Sequence, residues 1–375
     1  MSSYLIPGTD IDIQTLPKIS LHDHLDGGLR PQTILELADK DGVTLPADPD
    51  TGKPINNAAR LGQWFAEQAD SGSLVEYLKT FDITTGVMQS ADGLARVARE
   101  FVEDLADDGV IYGEIRWAPE QHLLAGLSLD GAVEAVQEGL DQGVKNVADR
   151  GHTIQVGQLV SAMRHLDRGL EIAQLALRHR DKGAVGFDIA GPEAGFPPSR
   201  MKEAFGLLAR NMFPVTVHAG EADGIESIRS ALVDGHALRL GHGVRIAEGI
   251  QNISSQDPKG AGLGEVARWV LDRQIPMEVS PSSNVQTGAI APWGTTLANH
   301  PFDHLYRLGF AVTVNTDNRL MSSTSMTKEL SLIASAFGYG ADDLLEFQLN
   351  AAAAAFASHE DRERMVDALV LAYSV

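Results

Sequence analysis

Two histidines one residue apart, His22 and His24, close the short apolar run Leu16–Leu21 and open the stretch SLHDHLDGG over residues 20–28. In an extended strand alternate side chains share a face. Both imidazoles therefore project together, with Asp26 and the flexible Gly27–Gly28 just beyond. Two neutral imidazoles at strand spacing are half of a zinc site, although a pair of surface histidines at a turn has the same spacing. Four later stretches carry the same kinds of group. GFDIAGPEAG holds Asp188 and Gly191, PVTVHAGEADG holds His218 and Glu221, RLGHGVR holds His242, and VTVNTDNRLMS holds Asp317 and Asn318. Taken singly, each has a plainer explanation. His218 suits a core histidine bonded to a backbone carbonyl, and Glu221 a helix N-terminal carboxylate. His242 suits a turn between two glycines, and Asp317 an Asx-type turn. What they share is position, because each follows directly on an apolar, β-branched run.

Those runs are the elements that must bring the groups together. After the opening strand they fall at Val110–Trp117, Thr153–Val160, Ala184–Ile189, Pro214–His218, Ala237–Leu240, Ile275–Val279 and Phe310–Asn315. Helical patterns separate them, among them Arg168–Arg180, Ser199–Arg210, Gly224–Leu232 and Leu263–Arg273. Strand–helix alternation implies a parallel sheet. Eight such units favour an α/β fold closed into a TIM (β/α)8 barrel. The other arrangement, an open doubly wound sheet, would place a glycine fingerprint after its first strand, and GxGxxG is absent there. In a barrel the carboxyl ends of the strands converge on one mouth, where active sites lie. His22, His24, His218 and Asp317 then form the expected metal set, and Ser280–Asn284 follows the seventh strand at the same end. His122, His165, His179 and His359 fall in helices or loops and receive no role.

One interval departs from the regular unit. Residues 29–109 separate the first two strands and carry helical patterns at Pro31–Asp39, Leu74–Met88 and Leu94–Leu105, with a Pro/Asp/Gly/Asn-rich loop at Ala47–Asn57. An insertion directly after a site-bearing strand is expected to serve as a lid. The domain reading is one barrel over residues 1–375 with this helical insertion within it. The remainder after Asn318 reads as helix to the end, with Ala351–Ala355 in a packed segment.

Composition narrows the chemistry. The chain has 375 residues, is 43% hydrophobic and carries a formal charge of −21. That charge argues against nucleic-acid binding, which needs clustered Lys and Arg. There is no cysteine, so thiolate sites and disulfides are excluded and any metal must sit among nitrogen and oxygen donors. No apolar run approaches the roughly 20 residues of a membrane helix, and MSSYLIPGTD lacks the basic start and apolar core of a secretion signal. A cytoplasmic protein is expected.

HDHLDGG after strand one, the strand-four glycine, HAGE after strand five, LGHG after strand six and NTD at strand eight together resemble the adenosine deaminase family of the amidohydrolase superfamily. The likeness is closest to its bacterial members and runs from about Pro17 to the C-terminal helices. The resemblance implies hydrolytic deamination of adenosine and deoxyadenosine, one Zn2+ held by His22, His24, His218 and Asp317, and Glu221 as proton donor. It implies that His242 assists the attacking water, with Asp317 accepting the water proton on its second oxygen. His24 and Asp26 would meet the ribose, and the backbone of Gly191 the purine. Asn318 stands where many members carry aspartate. Nitrogen 7 of a purine only accepts, and an Asn amide donates to it without any pKa shift. Asp23, between the two histidines, points away from the metal by strand alternation and receives no ligating role.

Three other chemistries fit less well. A cytidine-deaminase site needs cysteine ligands. A two-metal amidohydrolase would commonly use a lysine in strand four, and AVGFDIAG has none. A zinc-binding scaffold would have no use for Glu221 and His242. Among deaminases, adenine, methylthioadenosine and aminofutalosine types remain alternative substrates, and Asp26 favours one that bears a ribose. The expected partner is a small purine nucleoside, with neither nucleic acid nor membrane. Oligomeric state is left open.

Overall fold

The computed structural model describes residues 4–252 and 262–373. Residues 1–3, at the start of the segment read as lacking a leader, and 374–375, at the end of the helical tail, lie outside the described residues. Eight parallel strands carry the architecture: β1 (Lys18–His24), β2 (Val110–Trp117), β3 (Gln155–Met163), β4 (Ala184–Ala190), β5 (Thr216–Ala219), β6 (Arg239–His242), β7 (Met277–Val279) and β8 (Val312–Val314). Each pairs with its neighbour in order within two four-stranded sheets, β1 to β4 and β5 to β8. Two parallel bridges, Phe187↔Val215 and Asp23↔Asp317, join the sheets at both seams and complete the ring. A two-residue antiparallel ladder, Ile250–Gln251 with Gly262–Leu263, lies outside it. The strands are buried along nearly their whole length, as expected where helices cover a parallel sheet.

Helix ends follow the local chemistry of the sequence. Pro31 starts the helix Pro31–Asp41 at a position where its missing N–H costs nothing, and Gly42 ends it in the left-handed region at φ 71°. Ser90 caps Ala91–Asp107 by accepting from the Gly93 amide at 3.2 Å. The pattern expected to give one helix over Leu74–Met88 instead forms two, Leu74–Leu78 and Phe81–Gly86. At their junction the Lys79 and Thr80 amides bond three residues back, to Glu76 O and Tyr77 O, and the Thr80 hydroxyl also donates to Tyr77 O at 2.8 Å. That carbonyl is drawn out of the regular i→i−4 ladder. Beyond Asn318 come Met326–Phe337, Ala341–Ala354 and His359–Tyr373, with Ala351 and Ala352 packed inside.

The middle of the barrel is charged. Glu114 and Arg116 of β2, Asp188 of β4, Arg239 of β6 and Glu278 of β7 are all fully buried or nearly so. Arg116 bridges Asp188 at 2.8 Å and Glu278 at 2.7 Å, while Arg239 bridges Glu278 at 2.6 Å and also pairs with Glu114. Arg239 further lies over the Phe356 ring at 3.7 Å. Removing one member of such a set leaves an uncompensated buried charge, at a cost of about 3–5 kcal/mol. The network forms the floor on which the mouth of the barrel is built. Among the described residues no helix is long and apolar enough to cross a membrane.

Candidate metal centre and active site

Strand alternation sends His22 and His24 to the mouth and Asp23 to the other face, where Arg319 Nε donates to it at 2.8 Å. His22 Nδ1 lies 3.0 Å from Glu278 Oε2 and His218 Nδ1 lies 2.7 Å from Asp188 Oδ2. Each imidazole is thus held by a carboxylate on its far nitrogen, an arrangement that orients metal-binding histidines. Asp317 takes φ 58°, an unusual backbone for a non-glycine residue. It is held there by its N–H donating to His22 O at 2.9 Å and its O accepting from the His24 amide at 2.8 Å. Ser283 Oγ donates to Asp317 Oδ2 at 2.6 Å, which leaves Oδ1 turned to the histidines.

Four donor atoms converge as a result. His22 Nε2 is 3.2 Å and His24 Nε2 is 3.3 Å from Asp317 Oδ1, and the Nε2 atoms of His24 and His218 are 3.3 Å apart. Metal–ligand bonds of about 2.0–2.1 Å at tetrahedral angles put donors about 3.3 Å apart. His22 Nε2 is buried without a hydrogen-bond partner. Lone pairs turned on one another at these separations in a buried site call for a cation, so the residues present fit a divalent metal. The donors are nitrogen and oxygen alone, which suits zinc and excludes a thiolate site.

Glu221 and His242 stand beside this set. Glu221 Oε2 is 3.6 Å from His242 Nε2, and both side chains are buried. Burial first, then the nearby charges of Asp317 and Glu193, push the Glu221 carboxyl well above the usual carboxylate range. Burial holds His242 well below the ordinary imidazole value. A neutral acid next to a neutral imidazole can deliver a proton. The Glu221 turn is held by Glu193, itself 2% exposed. Its Oε2 accepts from the Glu221, Ala222 and Asp223 amides at 3.0, 2.6 and 3.0 Å. Its Oε1 accepts from the Gly220 amide at 2.7 Å and from Ser227 Oγ at 2.6 Å.

These groups open on a cavity of about 370 Å³. His24, Asp26, Gly191, His218, Glu221, His242, Asp317 and Asn318 all line it. Asp26 is buried, with Oδ1 unpartnered and 4.0 Å from His24 Nδ1, and burial raises its carboxyl pKa. Gly191 has φ 98°, and a Cβ there would lie 3.1 Å from Met163 Cε and 3.2 Å from His165 Nδ1. Only glycine brings its backbone to the cavity wall at this point. At Gly27 a Cβ would fall 2.0 Å from Asn318 Oδ1, so the glycine makes room for that amide. Leu74, Tyr77, Leu78 and Phe81, from the segment between β1 and β2, supply much of the apolar wall.

The structure therefore brings together every residue singled out in the sequence as a site candidate. It also shows what sequence reading missed. Glu278 and Glu193 act on site residues from another strand and a loop, and Tyr77 lines the cavity; nothing in their local sequence marks them, because each contact is long-range. Asp188 and Ser283, placed at strand ends but given no role there, lie against His218 and Asp317. His165, set aside as a loop histidine, also borders the cavity. The other three set aside do not: His122 is buried with Nδ1 3.0 Å from Met88 O, His179 pairs with Asp130 at 2.8 Å, and His359 is exposed.

A closed parallel barrel with three imidazoles and a carboxylate gathered at its carboxyl rim is an arrangement that suits a metal-dependent hydrolase. The adenosine deaminase family model matches residues 17–372. The adenosine deaminase of Mycolicibacterium gilvum is 52% identical over 364 residues, covering 97% of each chain. Adenosine deaminase 1 of Streptomyces coelicolor is 52% identical over 358 residues, covering 96% of this chain and 87% of its own. A solved amidohydrolase from Burkholderia ambifaria, with bound Zn, superposes with a TM-score of 0.79 at 23% identity, covering 98% of this chain and 95% of its own. The chain belongs to the adenosine deaminase family. It is a metal-dependent hydrolase acting on C–N bonds.

Proposed function

We propose that this chain hydrolyses adenosine and deoxyadenosine to inosine and deoxyinosine with release of ammonia, as a step of purine salvage in the cytoplasm. His22, His24, His218 and Asp317 would hold a single zinc ion. When bound there, zinc supplies a polarised water whose pKa falls to about 7. Glu221, kept neutral by burial, donates its proton to nitrogen 1 of the purine as the water oxygen adds to carbon 6. His242 faces that oxygen. Asp317 Oδ2, already bonded by Ser283, retains a lone pair to take the water proton. Asp26 and His24 meet the ribose, the Gly191 backbone meets the purine, and the Asn318 amide donates to nitrogen 7. Asp317 passes the water proton on to the amino group, which leaves as ammonia, while the remaining hydroxyl proton returns to Glu221 and gives the 6-oxo product. Residues 29–109 act as the lid of a single-domain barrel, closing over a small-molecule nucleoside.

The observation that carries this reading is a buried carboxyl, Glu221, whose pKa burial raises, beside four donors that could hold a metal ion and opening on a cavity of about 370 Å³. Purified protein assayed with adenosine, deoxyadenosine, adenine and 5′-modified adenosines, following ammonia and the loss of purine absorbance, tests it. Turnover of the two nucleosides well above the others is expected. Preference for adenine or for a 5′-modified nucleoside would overturn the substrate assignment.

A further inference from the structure

Behind His242, away from the metal set, runs a chain of buried polar groups. The Phe302 backbone N–H lies 3.1 Å from His300 Nδ1, His300 Nε2 lies 3.3 Å from Asn284 Oδ1, and Asn284 Nδ2 lies 2.9 Å from His242 Nδ1. His300, Asn284 and His242 are 2%, 0% and 1% exposed. Water therefore does not compete for these bonds. The chain has one end whose polarity is certain. Phe302 opens the helix Phe302–Arg307, and its amide has no acceptor within that helix. A backbone N–H only donates.

From that fixed end each proton position follows. His300 Nδ1 must accept, so its proton sits on Nε2 and is donated to Asn284. The Asn284 atom facing His300 must then be the carbonyl oxygen, which turns the amide NH2 toward His242. His242 Nδ1 must accept in its turn, and a neutral imidazole with Nδ1 free carries its proton on Nε2. Burial holds His300 down to about 3, which agrees with its ring being neutral. His242 Nε2 is the atom that faces Glu221 and the reaction mouth.

We propose that His300 and Asn284 are positioning residues that lock His242 in its Nε2–H tautomer, so that it meets the attacking oxygen as a hydrogen-bond donor and not as a base. This deepens the deaminase reading and rests on it for the identity of that oxygen. A donor at this position stabilises negative charge as it develops on the oxygen. The water proton then goes to Asp317, because Nε2 has no lone pair to offer. The helix that follows His300 thus sets, through two side chains, the chemistry of a histidine on another strand.

The test reads the tautomer directly. Two-bond 15N–1H spectra of the zinc-loaded full chain with 15N-labelled histidine should show His242 and His300 both protonated on Nε2 alone. Asn284→Asp, where ionised, presents only acceptors, and a proton then appears on His242 Nδ1. With it, kcat for adenosine should fall by about 10²–10⁴, the scale of a mis-set tautomer at a catalytic histidine, while KM and zinc content stay near wild type. His300→Leu frees the Asn284 amide to turn and should give a mixed His242 tautomer with a smaller loss. A wild-type His242 protonated on Nδ1, or an Asn284→Asp variant with unchanged kcat, overturns the proposal. The wild-type spectrum decides even if a variant does not fold. A wild-type protein inactive on adenosine would count against the function reading, with the tautomer still read from the same spectrum.

Discussion

Glu193→Gln removes one charge from a carboxylate whose work is to hold the turn carrying Glu221. Five donors meet Glu193 in the wild type, three on Oε2 and two on Oε1. Glutamine serves them best with its oxygen where Oε2 stood, keeping the amides of residues 221–223. Its NH2 then donates to Ser227 Oγ and confronts the Gly220 N–H, which loses its acceptor. A buried orphan amide costs about 1–3 kcal/mol. Three charge-assisted bonds fall to roughly half their strength, adding about 2–4 kcal/mol. The turn is expected to relax by a fraction of an ångström to one ångström, and a displacement on that scale costs about 10²-fold in rate. Steady-state kinetics with adenosine, alongside zinc content and urea unfolding, would report kcat down by about that factor, KM little changed, zinc retained and a lowered unfolding midpoint. The reasoning is refuted by a Glu193→Gln enzyme that keeps its zinc and turns over within about twofold of wild type.

Glu221→Gln cannot donate a proton, so kcat should fall by about 10²–10⁴ with zinc still bound; near-normal turnover would remove Glu221 from its role. The raised Glu221 pKa also has a sign in stability. A carboxyl whose folded pKa lies above its unfolded value stabilises the fold below the unfolded pKa, and that contribution is lost as pH rises through the folded pKa. Glu221→Gln should therefore gain in melting temperature relative to wild type as pH is raised from acid toward neutral, and a gain that shrinks with pH would contradict the shift. By the same sign, kcat should decline once pH passes the raised Glu221 pKa, as Glu221 loses the proton it must donate; a rate that kept rising there would remove it as the acid. His218→Ala deletes one of four donors, and elemental analysis should find most zinc lost together with activity; full zinc occupancy would exclude it as a ligand.

The barrel was legible because each strand announces itself as an apolar, β-branched run, and β2, read as Val110–Trp117, falls where expected. The shorter strands of the second half, such as β5 and β8, begin two residues later than their apolar runs, since hydrophobicity marks burial and not ladder pairing. The clustering of the four candidate donors was legible for a related reason. Its members sit at strand ends, and a closed barrel converts that one-dimensional position into a shared location.

The helical stretch Leu74–Gly86 was not legible as two pieces, because its break depends on which carbonyl a threonine hydroxyl reaches. The charges at Glu114, Arg116, Arg239 and Glu278 carry no local signal of burial, and only their mutual pairing across the barrel explains it. The sequence by itself determined the chemistry available: which strands end in imidazole or carboxylate, and that no thiolate competes. Tertiary structure alone decided how each group is aimed and in which proton state it is kept. Those depend on partners far away along the chain, such as Glu278 for His22, Glu193 for the Glu221 turn and Asn284 for His242. A hydrogen bond fixes direction only where the fold brings its two ends together.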